Sequence, residues 1–290
     1  MWLQRWKLLS PTSSPGVLAT LSAAYVAIFG AWLLLKPGGE GTLTAFSDYA
    51  VAAASLTAAL VCAASAHGLR ASARTRLAWY LVAAAWFFSG TGDALWTYLE
   101  LYTDIEVLFP SWPDIPYLTF YPLLLAGLLL QPAAGGHTAG RLRLALDGLI
   151  GSLGLLTLSW YFLLGPLYET SEAGLGNKVI GLTYPTGDTV LLIAALLLVI
   201  RGGPRTTLPE GFLAASVVVM AVADSGFAYL ELRDGYFSGH PIDLGWVVSP
   251  ALAAMATTEA ARKPSGSVVL GPARMTSNSA AMSRTVSPVG

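Results

Sequence analysis

Eight apolar runs separated by short stretches of charge, glycine or proline divide the chain: residues 17–35, 49–66, 77–99, 115–130, 144–164, 179–200, 212–232 and 244–258. A helix needs about 20 apolar residues to cross a hydrocarbon core about 30 Å thick, because every backbone polar group there must bond within its own segment. The pattern predicts an all-α polytopic membrane protein with about eight transmembrane helices. The fourth and eighth runs are short, and Pro185 interrupts the sixth.

The order of charges tests that count. Arg5 and Lys7 precede the first run; Arg70, Arg74 and Arg76 follow the second; Arg141 and Arg143 follow the fourth. Arg201 and Arg205 follow the sixth, and Arg262, Lys263, Arg274 and Arg284 follow the eighth. With eight spans, these thirteen of the 16 basic residues fall on one side. The other side receives Lys36, Lys178 and Arg233, with most of the acids, from Glu40 and Asp48 to Asp234 and Asp243. By the positive-inside rule both termini are cytoplasmic, the outer face is acidic, and the chain is a multi-pass protein of the plasma membrane. Composition agrees: 54% of the 290 residues are hydrophobic and 11% are charged, against about 25% charged in a soluble domain.

Four segments follow from this division. Residues 1–16 form a cytoplasmic anchor carrying Trp2 and Trp6 beside basic residues, and residues 17–130 hold the first four spans. Residues 131–260 hold the second four, and residues 261–290, rich in Ser, Pro and Gly, are expected to be a disordered cytoplasmic tail. The first run ends in Lys36-Pro37-Gly38-Gly39 without an Ala-x-Ala site, so it is expected to be retained rather than cleaved. Trp32, Trp96 and Trp112 lie toward the outer boundary, where aromatic belts form.

The halves resemble each other. Asp93, Tyr98, Leu99, Glu100 and Leu101 recur at the same spacing as Asp224, Tyr229, Leu230, Glu231 and Leu232. Asp114 to Pro122 parallels Asp243 to Pro250 with one gap, and Asp48 is a weaker counterpart of Asp188. The chain therefore reads as two parallel four-helix repeats. In membrane proteins built this way the site lies between the halves.

Carboxylates inside a bilayer cost about 2.5–3.5 kcal/mol on insertion scales, so they face an interior and mark function. Asp93 and Glu100, seven residues apart, share a helix stripe, as do Asp224 and Glu231. Asp188 enters from the sixth run four residues after Tyr184. With Trp96, Tyr98, Tyr121 and Tyr229, these residues are expected to wall a polar, outward-facing vestibule suited to a small cation, an amine or protons. Asp114 and Asp243 fit helix capping, and Asp147 fits an ion pair with Arg141 or Arg143 at the inner boundary. Tyr121-Pro122, Tyr184-Pro185 and Ser249-Pro250 place proline where it kinks or loosens a helix.

Several classes drop out. A net charge of −1 without a basic stripe argues against nucleic-acid binding. A single cysteine, Cys62, excludes a disulfide framework. No Walker loop, His-Glu-x-x-His or nucleophile elbow occurs, and His67, His137 and His240 fall on separate loops. No enzyme, metal or cofactor is expected.

Residues 110–124 (Pro-Ser-Trp-Pro-Asp-Ile-Pro-Tyr-Leu-Thr-Phe-Tyr-Pro-Leu-Leu), Leu146-Asp147-Gly-Leu-Ile, Ser159-Trp160-Tyr-Phe-Leu-Leu-Gly-Pro, Tyr184-Pro-Thr-Gly-Asp188 and Ala223-Asp224 resemble bacterial membrane-embedded sensory regions. Such regions precede diguanylate cyclase or phosphodiesterase (GGDEF/EAL) domains and histidine kinases. The resemblance spans about residues 77–260 and implies a signal-input module with an unidentified ligand. No output-domain motif follows residue 261 here, so the chain is expected to act through a cytoplasmic signalling partner, to carry out another task, or to be a truncated remnant of a longer protein. A receptor-like input module is thus the leading reading. A small ion- or proton-coupled transporter is the alternative, and a purely structural membrane protein the third.

Overall fold

The computed structural model describes residues 15–103, 110–132, 138–170, 175–202, 206–231, 233 and 235–262. The predicted anchor, including Trp2 and Trp6, and the predicted tail lie almost wholly outside the described residues. Among those described, the secondary structure is helical throughout, without a strand. In order come α1 (Pro15–Leu35), α2 (Glu40–Gly68), α3 (Ala73–Tyr102), α4 (Asp114–Leu129) and α5 (Thr138–Ser159). A π turn (Trp160–Leu164) leads to the short α6 (Gly165–Thr170), followed by α7 (Leu175–Gly202), α8 (Leu208–Glu231) and α9 (Asp243–Arg262).

A helix forms at each of the eight apolar runs, and α1, α2, α7 and α8 are long and apolar enough to cross a membrane. α4 is short, with 16 residues. α3 carries Arg74, Arg76, Asp93 and Glu100, and α9 carries Glu259 and Arg262, so neither matches the apolar length of the first four.

Local chemistry explains the boundaries. α3 starts where Ser72 Oγ accepts the Thr75 N–H at 3.2 Å, satisfying one of the free donors at a helix start. The chain reverses between α1 and α2 through Lys36, Gly38 and Gly39, all at positive φ, a region that glycine enters without steric cost. α2 then begins nine residues before the apolar run it contains. Its first turns carry Ser47 and Asp48, which are buried against other helices rather than exposed to lipid.

The core is built of small residues. Cys62 and Ala66 of α2, Ala78 and Ala85 of α3, and Ala253 and Ala256 of α9 are fully buried, around Trp79, Trp86, Phe120, Leu213 and Val217. Small side chains let helix backbones approach closely, and dispersion then drives helix association in lipid. α2 packs on α3 and α9, α3 on α4, α8 on α7 and α9, and α4 meets α7. α1 lies outside this bundle against α9 and α2, while α5 packs on α7. Leu21, Ile28, Leu60, Ile150, Leu153, Tyr161 and Val222 are exposed on the outer surface, as lipid-facing side chains would be. Pro122, Pro185 and Pro250 lie inside α4, α7 and α9. Beside Pro250, Ser249 Oγ donates to the Ser216 carbonyl and Ser216 Oγ to the Ser249 carbonyl, both at 2.8 Å, fastening α8 to α9.

Candidate functional site

The tripeptide Thr-Gly-Asp occurs twice, as Thr91-Gly92-Asp93 in α3 and Thr186-Gly187-Asp188 in α7. Each threonine hydroxyl turns back to a carbonyl of its own helix, Phe87 at 2.8 Å and Leu182 at 2.6 Å. Each glycine leaves room for a tyrosine of α4. A Cβ at Gly92 would lie 2.6 Å from the Tyr117 ring, and one at Gly187 would collide with the Tyr121 ring. Tyr117 and Tyr121 are four residues apart and share one face of α4. The Tyr117 hydroxyl donates to Asp93 Oδ1 at 2.9 Å, and Tyr121 interacts with Asp188.

Further donors complete this inner cluster. Ser55 Oγ of α2 donates to Asp93 Oδ2 at 2.9 Å. Trp246 Nε1 of α9 donates to Asp224 Oδ1 at 2.7 Å, and Asp224 lies within hydrogen-bonding reach of Asp188. Tyr184 Oη donates to Asp114 Oδ1, and its ring meets that of Tyr121 edge-on. Five helices thus bring Asp93, Asp114, Asp188 and Asp224 together with Tyr117, Tyr121, Tyr184 and Trp246, and α2 adds Ser55. Asp114 and Asp188 are buried, and Asp93 and Asp224 are half-buried.

The two proposed halves repeat a bond here. Tyr117 stands three residues after Asp114 and Trp246 three after Asp243. Each reaches back to the aspartate of the preceding helix, Asp93 or Asp224. Two more links involve these starting acids: α7 bonds Asp114 through Tyr184, and α2 bonds Asp243 through Ser47.

A second cluster forms about two turns further along α3, at its C-terminal end. Asp243 Oδ2 accepts Ser47 Oγ at 2.7 Å and the Gly239 N–H at 2.8 Å, and Oδ1 accepts Tyr236 Oη at 3.3 Å. Glu100 Oε2 accepts Trp96 Nε1 at 2.5 Å and Ser238 Oγ at 3.1 Å. Asp48 lies beside both acids. Burial holds the Tyr236 phenol above its ordinary pKa, so it serves as a neutral donor. Burial and the neighbouring Lys36 hold His240 below its ordinary value.

The remaining sequence candidates fall elsewhere. Tyr98 is exposed and stacks on Tyr102. Tyr229 is exposed beneath the Arg233 guanidinium, 4.2 Å from its ring centroid, and Glu231 is exposed. Asp147 is exposed, and the side chains of Arg141 and Arg143 lie outside the described residues. Asp114 lies in the first turn of α4, where its carboxylate accepts the Ser111 N–H at 2.5 Å, the back-reaching arm of a capping box, and it also accepts the Tyr184 hydroxyl. Asp243 likewise fastens its entering loop through Gly239. The sequence reading missed Tyr117, Trp246 and Ser55. The doubled Thr-Gly-Asp and the shared offset of Tyr117 and Trp246 were the signals available for the first two.

Chemically, both clusters are acidic and their donors are neutral hydroxyl, indole and amide groups. Among the described residues no lysine, arginine or histidine makes an ion pair with Asp48, Asp93, Asp188, Asp224 or Asp243. No group of three or more His, Cys, Asp or Glu side chains among them is arranged to hold a metal ion. No family model matches the chain, and neither a curated protein nor a solved structure does.

Proposed function

We propose that this chain is a receptor-like input module of the plasma membrane, with eight spans in two parallel halves and both termini in the cytoplasm. Its site is the acid–aromatic cluster where the halves meet. The observation that carries the reading is the repeated bond, Tyr117 to Asp93 and Trp246 to Asp224, which supports a duplicated bundle with its polar residues turned inward. Uncompensated carboxylates between helices suit a small cation or an amine-bearing ligand arriving from the outer side. A ligand that binds one arrangement of α3, α4, α8 and α9 better than another shifts their equilibrium, and a cytoplasmic partner reads the shift.

Hydrogen exchange on the full chain in proteoliposomes tests this, with methylammonium, choline and a panel of other amines added outside. The expected result is slowed exchange in α3, α4, α8 and α9, lost in the Asp93→Asn/Asp224→Asn variant. Folded protein that shows no such change with any member of the panel refutes the proposal. Uptake driven by a proton or sodium gradient and abolished by the double substitution replaces it with the transporter reading.

A further inference from the structure

Asp48 sits eight residues into α2, buried with 9% of its surface exposed, and its Oδ2 has no hydrogen-bond partner. That oxygen is enclosed, with no room for a water molecule against it. Around it stand Glu100 of α3, Asp243 of α9 and Ser238 and Tyr236 of the connection before α9. Asp243 has three donors and Glu100 has Trp96 and Ser238, and Ser238 also comes within hydrogen-bonding reach of Asp48, so that Oδ2 alone is left without a partner. Asp48 and Glu100 come within hydrogen-bonding reach of each other. Lys36 instead places its ammonium over the Phe237 ring, 5.3 Å from the centroid, at the rim.

Two carboxyl groups that meet in a dry interior without a cation cannot both ionise readily, and one proton held between them removes the repulsion. The enclosure leaves no room for an amine or a hydrated ion at Oδ2. A proton needs none, and it turns an unpartnered acceptor into a donor. We propose that the Asp48–Glu100 pair is a proton-binding site at the outer end of α2 and α3, separate from the Asp93–Asp188–Asp224 cluster. The titratable groups facing it are Asp243 on α9 and Tyr236 on the connecting segment, while Lys36 lies beside Phe237 and His240. Ser47, next to Asp48, is bonded to Asp243, so the site's charge is coupled to the packing of α2 on α9. The proposal stands on the geometry of α2, α3 and α9 and does not require an amine receptor at the inner cluster.

Infrared difference spectroscopy of the full chain in lipid tests it, with pH stepped on the outer side in H2O and in D2O. Wild type should show a protonated-carboxyl C=O band that shifts in D2O and disappears as pH rises. Asp48→Asn and Glu100→Gln should each lose that component, whereas Asp93→Asn/Asp224→Asn should keep it. The two single variants mimic the protonated acid in shape and check each other should one fail to fold. Retention of the whole band in both variants overturns the proposal. So does loss of the component when sodium replaces choline at fixed pH, because the occupant is then a metal ion.

Discussion

Replacing Gly92 by alanine tests the seat of Tyr117. At an open helical position this change stabilises a helix by about 0.8–1 kcal/mol. Here the new Cβ would lie 2.6 Å from Cδ1 and Cε1 of Tyr117 and 2.9 Å from Cζ, where carbon atoms prefer about 3.5–4 Å. The ring must retreat by about 1 Å, taking its hydroxyl away from Asp93 Oδ1, now 2.9 Å distant. Overpacking costs about 1–3 kcal/mol, and an interhelical hydrogen bond in a membrane is worth about 0.6 kcal/mol on average. Once the helix preference is subtracted, the net loss is about 1–3 kcal/mol, a shift of about 5- to 150-fold in the unfolding equilibrium. Equilibrium unfolding in mixed micelles measures it. In a Tyr117→Ala background the collision is gone, and Gly92→Ala should change sign and stabilise by up to about 1 kcal/mol. Gly154→Ala on α5, whose Cβ meets nothing within 4 Å, is the neutral or stabilising control. Equal cost of Gly92→Ala in both backgrounds would refute the reasoning.

Trp246→Phe removes the 2.7 Å donor to Asp224 and leaves that carboxylate short of a partner, a loss of about 1–3 kcal/mol. Combining it with Asp224→Asn should cost less than the sum of the two single effects, and strict additivity in the same unfolding assay would deny the bond. Cys62 is fully buried and accepts the Thr257 hydroxyl at 3.2 Å. A water-soluble maleimide should therefore label it only after unfolding, whereas a cysteine placed at exposed His67 should react at once; rapid native labelling of Cys62 would contradict the packing of α2 on α9. His240 Nδ1 accepts the Ile242 N–H at 3.2 Å only while unprotonated, and its pKa is lowered in the fold. The unfolded chain then binds more protons as pH falls from about 7 toward 5, so the turn before α9 loses stability in that direction. Amide exchange at Gly239 and Ile242, corrected for intrinsic rates, should quicken at the lower pH; unchanged protection would refute it.

The helices were legible because hydropathy reports what a segment cannot leave in water, and their ends were less so. α2 begins with Glu40, well before residue 49, because the buried Ser47 and Asp48 belong to a helix whose polar side meets the start of α9, where Ser47 bonds Asp243. The π turn at Trp160–Leu164 is invisible to an apolar-run analysis, since Trp-Tyr-Phe-Leu-Leu is hydrophobic in any helical geometry. Among the acids, spacing placed Asp93, Asp188 and Asp224 on inward faces. It could not show that Glu100 turns to Ser238 while Glu231 stays exposed, because those destinations depend on how the loop before α9 folds back over α3. Tyr98 and Tyr229 share the spacing of the repeat but face outward: a duplicated helix preserves periodicity, not the neighbours that decide burial.

The packing of α9 against α1 and α2 also fixes an order of assembly. A ribosome delivers α1 and α2 to the bilayer long before α9 exists. The partners of Ser47, Cys62 and Ser65 are Asp243, Thr257 and Thr258, all synthesised about 190 residues later, at separations of 193 to 196 positions. Until then Ser47, Cys62 and Ser65 face lipid or provisional neighbours, and α1 has α2 but not α9 to pack on. The closing of the bundle therefore waits for α9 and has a high contact order. Translation halted before residue 243 would leave α2 carrying its buried acid and serines without their lasting partners, a ready substrate for membrane quality control.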